Sequence, residues 1–210
     1  MERLGLIEKV KIKMDEYTPE GVSLPFDEII GPLLDESATE LLQKAPLHLI
    51  TPANIPLLGG DPSSSLVKYA NDKAYIPVPS DYVRLYQIKY PLWKKAVRIA
   101  ISPEHEDYRI QDNEYLSAGY ARPVVAIVHD TNSQNAITRY FECGKVLNPG
   151  TTALTPVAQY VKKNKPEEIH NSLADALTWL CTSKVFGVLG YGDKAKLTMD
   201  QFNQALILTI

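Results

Sequence analysis

The spacing of apolar residues changes twice along this chain, and that change constrains the fold more than any other feature. From residue 26 to 44, apolar side chains recur every three to four positions, the period of an amphipathic helix. Between residues 66 and 162 they form short runs rich in Val, Ile and Tyr, which favour strands. Helical spacing returns at Pro166. This order predicts an α+β fold in which an N-terminal helix and a C-terminal helix pair form a helical bundle, with a mainly antiparallel β insertion between them.

The ends and interruptions of the helices can also be predicted. Gly31-Pro32 lies inside the first helix, where proline should kink it or divide it into a short turn and a longer helix. The second helix should start at Pro166 and end near Gly187 or Gly190, because glycine commonly terminates helices. A third helix should occupy residues 194–206, where apolar residues again show helical spacing.

The helix that follows Pro166 has apolar residues on more than one side. One stripe is formed by Ile169, Leu173, Leu177, Leu180, Cys181 and Val185. Trp179 and Phe186 are seven residues apart and lie off this stripe. A helix that is apolar on more than one side needs more than one packing partner. The extra partner is either another part of the same bundle or a neighbouring subunit, and the sequence leaves both open.

The β insertion should contain six strands and one short helix. The strands are expected near residues 74–78, 83–90, 95–101, 123–129, 136–142 and 153–162. Ser102 followed by Pro103 is typical of a helix N-cap and first position, which predicts a helix over residues 103–112. The polar stretch between Asp130 and Asn135 predicts a turn, so that residues 123–142 form a β-hairpin.

Length and charge limit the class of protein. The 210 residues are expected to form a single domain, with helical parts at 23–46 and 166–206, the β insertion at 66–162 and an apolar tail at 207–210. The net charge of −3 argues against sequence-general binding of nucleic acid. Since no apolar run is long enough for a signal peptide core or a membrane span, we expect no membrane association. Cys143 and Cys181 match no metal or disulfide motif, which favours reduced thiols in a reducing, cytoplasmic compartment.

No motif predicts a catalytic, cofactor-binding or metal site. The four histidines are scattered, and Gly144-Lys145 lacks the remaining residues of a phosphate-binding loop. Acidic residues at 104–107 and 167–168 fall in predicted first helical turns, where carboxylates favourably meet the helix dipole. The basic clusters Lys94-Lys95-Arg98 and Lys162-Lys163-Lys165 are typical of solvated faces or subunit contacts. We therefore expect a non-enzymatic protein without a cofactor.

One stretch of the β insertion resembles a known family. It comprises Pro77-Val78-Pro79-Ser80-Asp81-Tyr82-Val83-Arg84-Leu85, Trp93, Val97, Tyr108-Arg109-Ile110-Gln111, Asn113, Tyr115 and Ala121-Arg122-Pro123-Val124-Val125. In residues and order it resembles head-to-tail connector (adaptor) proteins of tailed bacteriophages, including phages of gut Bacteroidota. Such connectors also have an early helix, a β insertion and a paired-helix C-terminus like residues 172–205. The likeness covers most of residues 23–206.

The resemblance implies a structural virion protein made in the host bacterial cytoplasm and placed in the neck between head and tail. Its partners would be copies of itself in a ring, typically a dodecamer, the portal protein above and the next neck or tail ring. Double-stranded DNA would pass through the ring without sequence-specific binding. The slight negative charge agrees with this, because tight phosphate contacts would oppose passage.

Candidate residues for contacts with other subunits or the portal lie near the C-terminus. Trp179 and Phe186 are candidates because aromatic residues are enriched at interface centres. The apolar tail supplies the others, Leu206, Ile207, Leu208 and Ile210, which should add a strand to a neighbouring subunit or fill a groove on it. Docking of the tail on its own chain remains open. Other possible functions are a different neck, stopper or tail-tube component, a non-viral protein-binding module, or an enzyme with a site assembled from distant residues.

Overall fold

The chain consists of a helical part and a β part that is inserted into it. The computed structural model describes residues 2–15, 26–58, 66–70, 72–110, 119–131, 137–146 and 155–208. Met1–Thr51 and Lys163–Ile210 form one compact unit, the helical unit, and Pro52–Lys162 form a second, the β unit. The predicted α+β class is confirmed. That the two units fold as a single domain stays a prediction.

The helical unit contains helices from both ends of the chain. Its helices are α1 (Arg3–Asp15), α2 (Phe26–Lys44), α4 (Ala174–Val188) and α5 (Gly192–Ile207), with 3₁₀ turns at Leu47–Leu49, Pro166–Glu168 and Asn171–Leu173. The bounds of α2 are as predicted, whereas α1 was not predicted. Pro166 starts a 3₁₀ turn instead of the long helix, which begins eight residues later, and α5 starts two residues earlier than expected.

Helix α4 lies at the centre of the helical unit. It packs against α1, α2 and α5, and its buried residues are Ala174, Ala176, Leu177, Thr178, Leu180, Cys181, Thr182, Ser183, Val185 and Phe186. The prediction that this helix needs more than one packing partner is confirmed, and three partners come from the same chain. Helix α2 is continuous across Gly31 and Pro32, so of the two predicted effects of the proline the division does not occur, while a kink stays a prediction. Buried Ile30 and Leu34 lie on either side of the proline and hold both halves of the helix in the core.

Charged side chains fix the neighbouring helices to α2 and α4. Arg3 donates to both carboxylate oxygens of Asp35, at 2.8 and 2.9 Å. Lys13 is largely buried, although it is charged, and its Nζ donates to Asp175 Oδ1 at 2.6 Å and to Thr178 Oγ1 at 2.9 Å. These bonds attach α1 to α2 and to α4. Paired and partly buried charges of this kind are costly to break, because the remaining partner loses its compensation.

The β unit contains two antiparallel sheets. Its elements are β1 (Ala53–Asn54), β2 (Lys68–Ala70), β3 (Lys73–Pro77), β4 (Tyr82–Lys89), α3 (Glu106–Arg109), β5 (Val125–Thr131), β6 (Ile137–Gly144) and β7 (Val157–Lys162). One sheet has the order β1-β7-β4 and the other β2-β3-β6-β5. Both sheets contribute to one hydrophobic core, which includes Ile76, Phe141, Leu85, Tyr160 and the buried Trp93. The predicted hairpin over 123–142 is confirmed as the pairing of β5 with β6.

Two predictions for the β unit are wrong. Residues 95–101 do not form a strand but make two isolated bridges, Val97 to Ile88 and Ile101 to Ala126. Val97 bridges to a residue of β4 and Ile101 to a residue of β5, so the segment forms no continuous ladder with either strand. The short helix covers only Glu106–Arg109 and is capped by His105, whose Nδ1 accepts a hydrogen bond from the backbone N–H of Asp107 at 3.2 Å, not by Ser102. Residues 111–112 of that prediction and 153–154 of the last strand lie outside the described residues.

Within the described ranges, no helix has the length and apolar character that a membrane span requires.

The contact of Lys13 with α4 generates a first prediction. Lys13→Ala removes three hydrogen bonds from the ammonium, to the carboxylate and carbonyl of Asp175 and to the hydroxyl of Thr178, so the free energy of unfolding should fall by about 2 kcal/mol. Urea denaturation followed by far-UV circular dichroism measures this change. Lys9→Ala, at an exposed position of the same helix, is the control and should change the value by less than about 0.5 kcal/mol. Equal effects of both substitutions would contradict the role of Lys13.

The contact of Arg3 with Asp35 generates a second prediction, which concerns pH. The hydrogen bond from Arg3 lowers the pKa of Asp35 below its ordinary value of 3.8, against an opposing effect of burial. The resulting stability is present above pH 3.8 and is lost as the pH falls through the lower pKa of the folded state. Asp35→Asn should therefore lower the urea midpoint at pH 7, and the difference from the unsubstituted protein should narrow below about pH 3.8. Glu8→Gln on the exposed side of α1 is the control, and a difference independent of pH would contradict the prediction.

Candidate functional site

The two aromatic candidates on α4 are placed differently. Phe186 is 1% exposed, and its ring meets Tyr191 edge-on with 6.3 Å between ring centroids. Its position matches the alternative in which the second apolar face packs within the chain's own bundle. Trp179 is half-buried, and Lys13 Nζ lies 3.9 Å from its ring centroid, which is a cation–π contact. Of the two, only Trp179 keeps part of its surface accessible to a partner.

The end of α5 exposes the largest apolar side chains of the predicted tail. Leu206 is half-buried, whereas Ile207 is 68% and Leu208 is 87% exposed. Ile207 is the last residue of α5, and Leu208 follows it with helical dihedral angles, so this part of the tail is not extended. Ile210 lies outside the described residues. Adjacent exposed residues of this size are typical of a surface that binds another protein.

Helix α1 carries a second exposed apolar surface, which the sequence analysis missed. Leu4 is 77% and Ile12 57% exposed, and they are eight residues apart on the outer side of the helix. Leu6, Val10 and Met14 form the buried side, and their spacing was the signal from which α1 could have been predicted. The helical unit therefore exposes large apolar residues on two different helices.

A polar cavity in the β unit is the clearest candidate for a chemical site. Its volume is about 170 Å³, and its lining residues are Asp72, Lys73, Tyr108, Val124, Ala126, Glu142, Gly144 and Lys145. The buried carboxylate of Glu142 lies 2.7 Å from Lys73 Nζ and accepts a hydrogen bond from the Tyr108 hydroxyl at 3.2 Å. Strand β3 carries Lys73 and strand β6 carries Glu142, while Tyr108 belongs to α3. The sequence analysis did not bring these three residues together, because they are distant in the chain.

The ionisation of this cluster follows from its contacts. Burial alone would lower the pKa of Lys73, but the hydrogen bond and charge of Glu142 raise it above the ordinary value. Burial and the nearby Glu142 charge raise the pKa of Tyr108. Both groups consequently keep their protons at neutral pH, and each donates to the same carboxylate. The arrangement holds the cavity wall together and presents a cation and a hydroxyl, not a neutral amine or a phenolate, to the cavity.

Two of the histidines and both cysteines occupy positions that serve the fold. His105 and His170 each accept a hydrogen bond through Nδ1 from the backbone two residues ahead, at the starts of short helical turns. Cys143 and Cys181 are free and buried, and burial raises the pKa of both thiols. In the part of the chain that the structure describes, no group of three or more His, Cys, Asp or Glu side chains could hold a metal ion.

The different exposure of Phe186 and the α5 end generates a third prediction. Phe186→Ala should lower the free energy of unfolding by about 3–5 kcal/mol, because it leaves a cavity in the core. The double variant Ile207→Ser/Leu208→Ser should change it by less than about 0.5 kcal/mol, because both side chains are already in water. Urea denaturation of the three proteins measures both effects. A tolerated Phe186→Ala, or a strongly destabilised double variant, would contradict this assignment of core and surface.

Comparison with known proteins does not assign the chain to a family. No protein-family model matches the chain, and no curated protein matches it.

Proposed function

We propose that the protein is a subunit of the head-to-tail connector ring of a tailed bacteriophage, docked under the portal and surrounding the DNA exit channel. The observation that carries this proposal is the resemblance of residues 77–125 to connector proteins, together with the places of those residues in the fold. Residues 77–85 join the end of β3 to β4, and Trp93 is buried in the core of the β unit. Val97 makes a bridge to Ile88, and Val125 begins β5. The resembling residues that the structure describes thus belong to the strands, connections and core of the β unit.

The exposed surfaces of the helical unit support the same proposal. A closed ring needs two different contact surfaces on every subunit. The outer side of α1, with Leu4 and Ile12, and the end of α5, with Ile207 and Leu208, are two such surfaces. Neither includes Phe186, so the interface that we propose consists of the α1 side, the α5 end and the accessible part of Trp179.

The helical conformation of the α5 end favours one of the two modes by which the C-terminus could contact a partner. The sequence allowed the tail to add a strand or to fill a groove. Because Ile207 belongs to α5 and Leu208 keeps helical dihedral angles, an apolar helix end that inserts into a groove needs no unwinding, whereas strand addition does. We therefore favour groove filling on the portal or on a neighbouring subunit.

Native mass and negative-stain images of the purified protein, alone and mixed with the portal from the same genome, test the proposed function. We expect a ring of stoichiometric mass bound to the portal. A chain that stays monomeric and ignores the portal would contradict the connector proposal and favour another neck component or a small binding module. Filaments would instead indicate a tail-tube protein.

Deletion of residues 207–210 tests the role of the tail. It removes the two exposed apolar side chains at the end of α5, so ring formation on the portal should weaken while circular dichroism and the urea midpoint stay close to those of the full chain. The matched control Thr209→Ala alters the same tail but keeps Ile207, Leu208 and Ile210. Loss of folding, or assembly of the truncated protein equal to that of the control, would show that the tail does not serve assembly.

A further inference from the structure

Several basic residues of the helical unit are paired with acids, whereas a group of exposed bases in the β unit is not. In the helical unit, Arg3 and Lys13 are held by acidic side chains as described above, and Lys184 lies 2.7 Å from Glu36. In the β unit, Lys94, Lys95, Arg98 and Arg122 are exposed, and none of these four has an acidic side chain within 4.0 Å among the described residues. Unpaired charges of one sign attract a partner of the opposite sign.

Backbone hydrogen bonds place the two segments that carry these four bases side by side. The N–H of Lys94 donates to the carbonyl of Tyr120 at 2.8 Å, and the N–H of Ile101 donates to the carbonyl of Val125 at 2.9 Å. Residues 94–101 therefore run beside residues 120–125, and Arg122 joins the three bases of the first segment. Trp93, buried in the core, fixes the start of that segment. We call Lys94, Lys95, Arg98 and Arg122, with the exposed Ile99 and Tyr120, the basic patch.

The apolar members of the basic patch indicate a protein partner. Ile99 is 76% and Tyr120 40% exposed, and they lie among the charged residues. Protein interfaces combine an apolar centre with charged and polar groups around it. A phosphate backbone would neutralise the bases but would leave Ile99 in water. The mixture of cations with a large exposed aliphatic side chain therefore fits an acidic protein surface better than nucleic acid.

The acidic complement is present in the same chain. The helical unit contains 10 Lys and Arg against 15 Asp and Glu, a formal charge of −5, whereas the β unit contains 12 against 10, a formal charge of +2. The helical unit also exposes the apolar Leu4, Ile207 and Leu208. A second copy thus offers both of the properties that the basic patch requires.

We propose that the basic patch of one subunit docks on the acidic helical unit of a neighbouring copy. The contact joins unlike surfaces, so repetition from subunit to subunit can close a ring. This inference rests on the proposed connector function and adds the surface through which neighbouring copies recognise one another. Complementary charge at such a contact guides association and sets the register of the subunits.

Charge reversal tests the basic patch. The variant Lys94→Glu/Lys95→Glu/Arg98→Glu should need at least about tenfold more protein than the unsubstituted chain to form the ring, because like charges then face one another. The matched control Lys68→Glu/Arg139→Glu/Lys162→Glu makes the same change in net charge at exposed positions on β2, on β6 and at the end of β7. It should assemble as the unsubstituted chain does. Native mass with the portal measures assembly, and circular dichroism checks that both variants fold.

Cross-linking identifies the partner surface directly. A carbodiimide joins lysine amines to carboxylates, and an equal mixture of ¹⁴N- and ¹⁵N-labelled protein separates links between chains from links within one chain. We expect mixed-isotope links from Lys94 or Lys95 to acidic residues of the helical unit. Their absence from an assembled ring overturns this inference and leaves the connector function standing. Absence of any ring on the portal contradicts the connector function, whether or not mixed links form.

A nucleic-acid partner would give a different result. If the charge-reversed variant assembles like the control but no longer retards duplex DNA that the control does retard, the basic patch contacts nucleic acid. That result would overturn the inference of a contact between subunits.

Discussion

The burial of α4 by three helices of its own chain is the constraint on which the rest of the helical unit depends. Near its start, Lys13 of α1 reaches Asp175 and Thr178. Near its end, the hydroxyl of Ser183 donates to the carbonyl of Ala195 in α5 at 2.7 Å. Since the apolar stripe of α4 and Phe186 are buried inside the unit, the contacts with other subunits that we propose for this unit use the outer side of α1, the end of α5 and the accessible part of Trp179.

The secondary structure was predicted correctly where one apolar spacing extends over a whole segment and residues typical of a helix end follow it. Helix α2 was predicted to the residue, because its apolar spacing extends over the whole segment and Pro46 follows its end. Helix α1 was missed because its lysines suggest an exposed segment, although Lys13 is buried through partners 162 and 165 positions away in the chain. Residues 95–101 have the composition of a strand, but pairing depends on neighbours that the sequence does not identify.

The candidate interface was predictable only in part, for a related physical reason. A helix that is apolar on two sides shows that two partners exist, but not which of them belongs to another chain. Phe186 packs against Tyr191, five residues further along the same chain, whereas Ile207 and Leu208 remain in water. Likewise, the sequence shows the run of bases from Lys94 to Arg98, but only the fold brings Arg122 beside them through the bond from Lys94 to Tyr120.

Peptide-resolved amide hydrogen exchange, in the free chain and in the portal-bound assembly, tests most directly whether α4 is satisfied within its own chain. Slow exchange in α4 requires that its backbone hydrogen bonds stay closed, and packing against α1, α2 and α5 already provides this in the free chain. The account predicts slow exchange of α4 in both states, with slower exchange on assembly at Leu206–Leu208. Fast exchange of α4 in the free chain, with protection gained only in the assembly, would show that α4 is completed by a neighbouring subunit and would contradict the account.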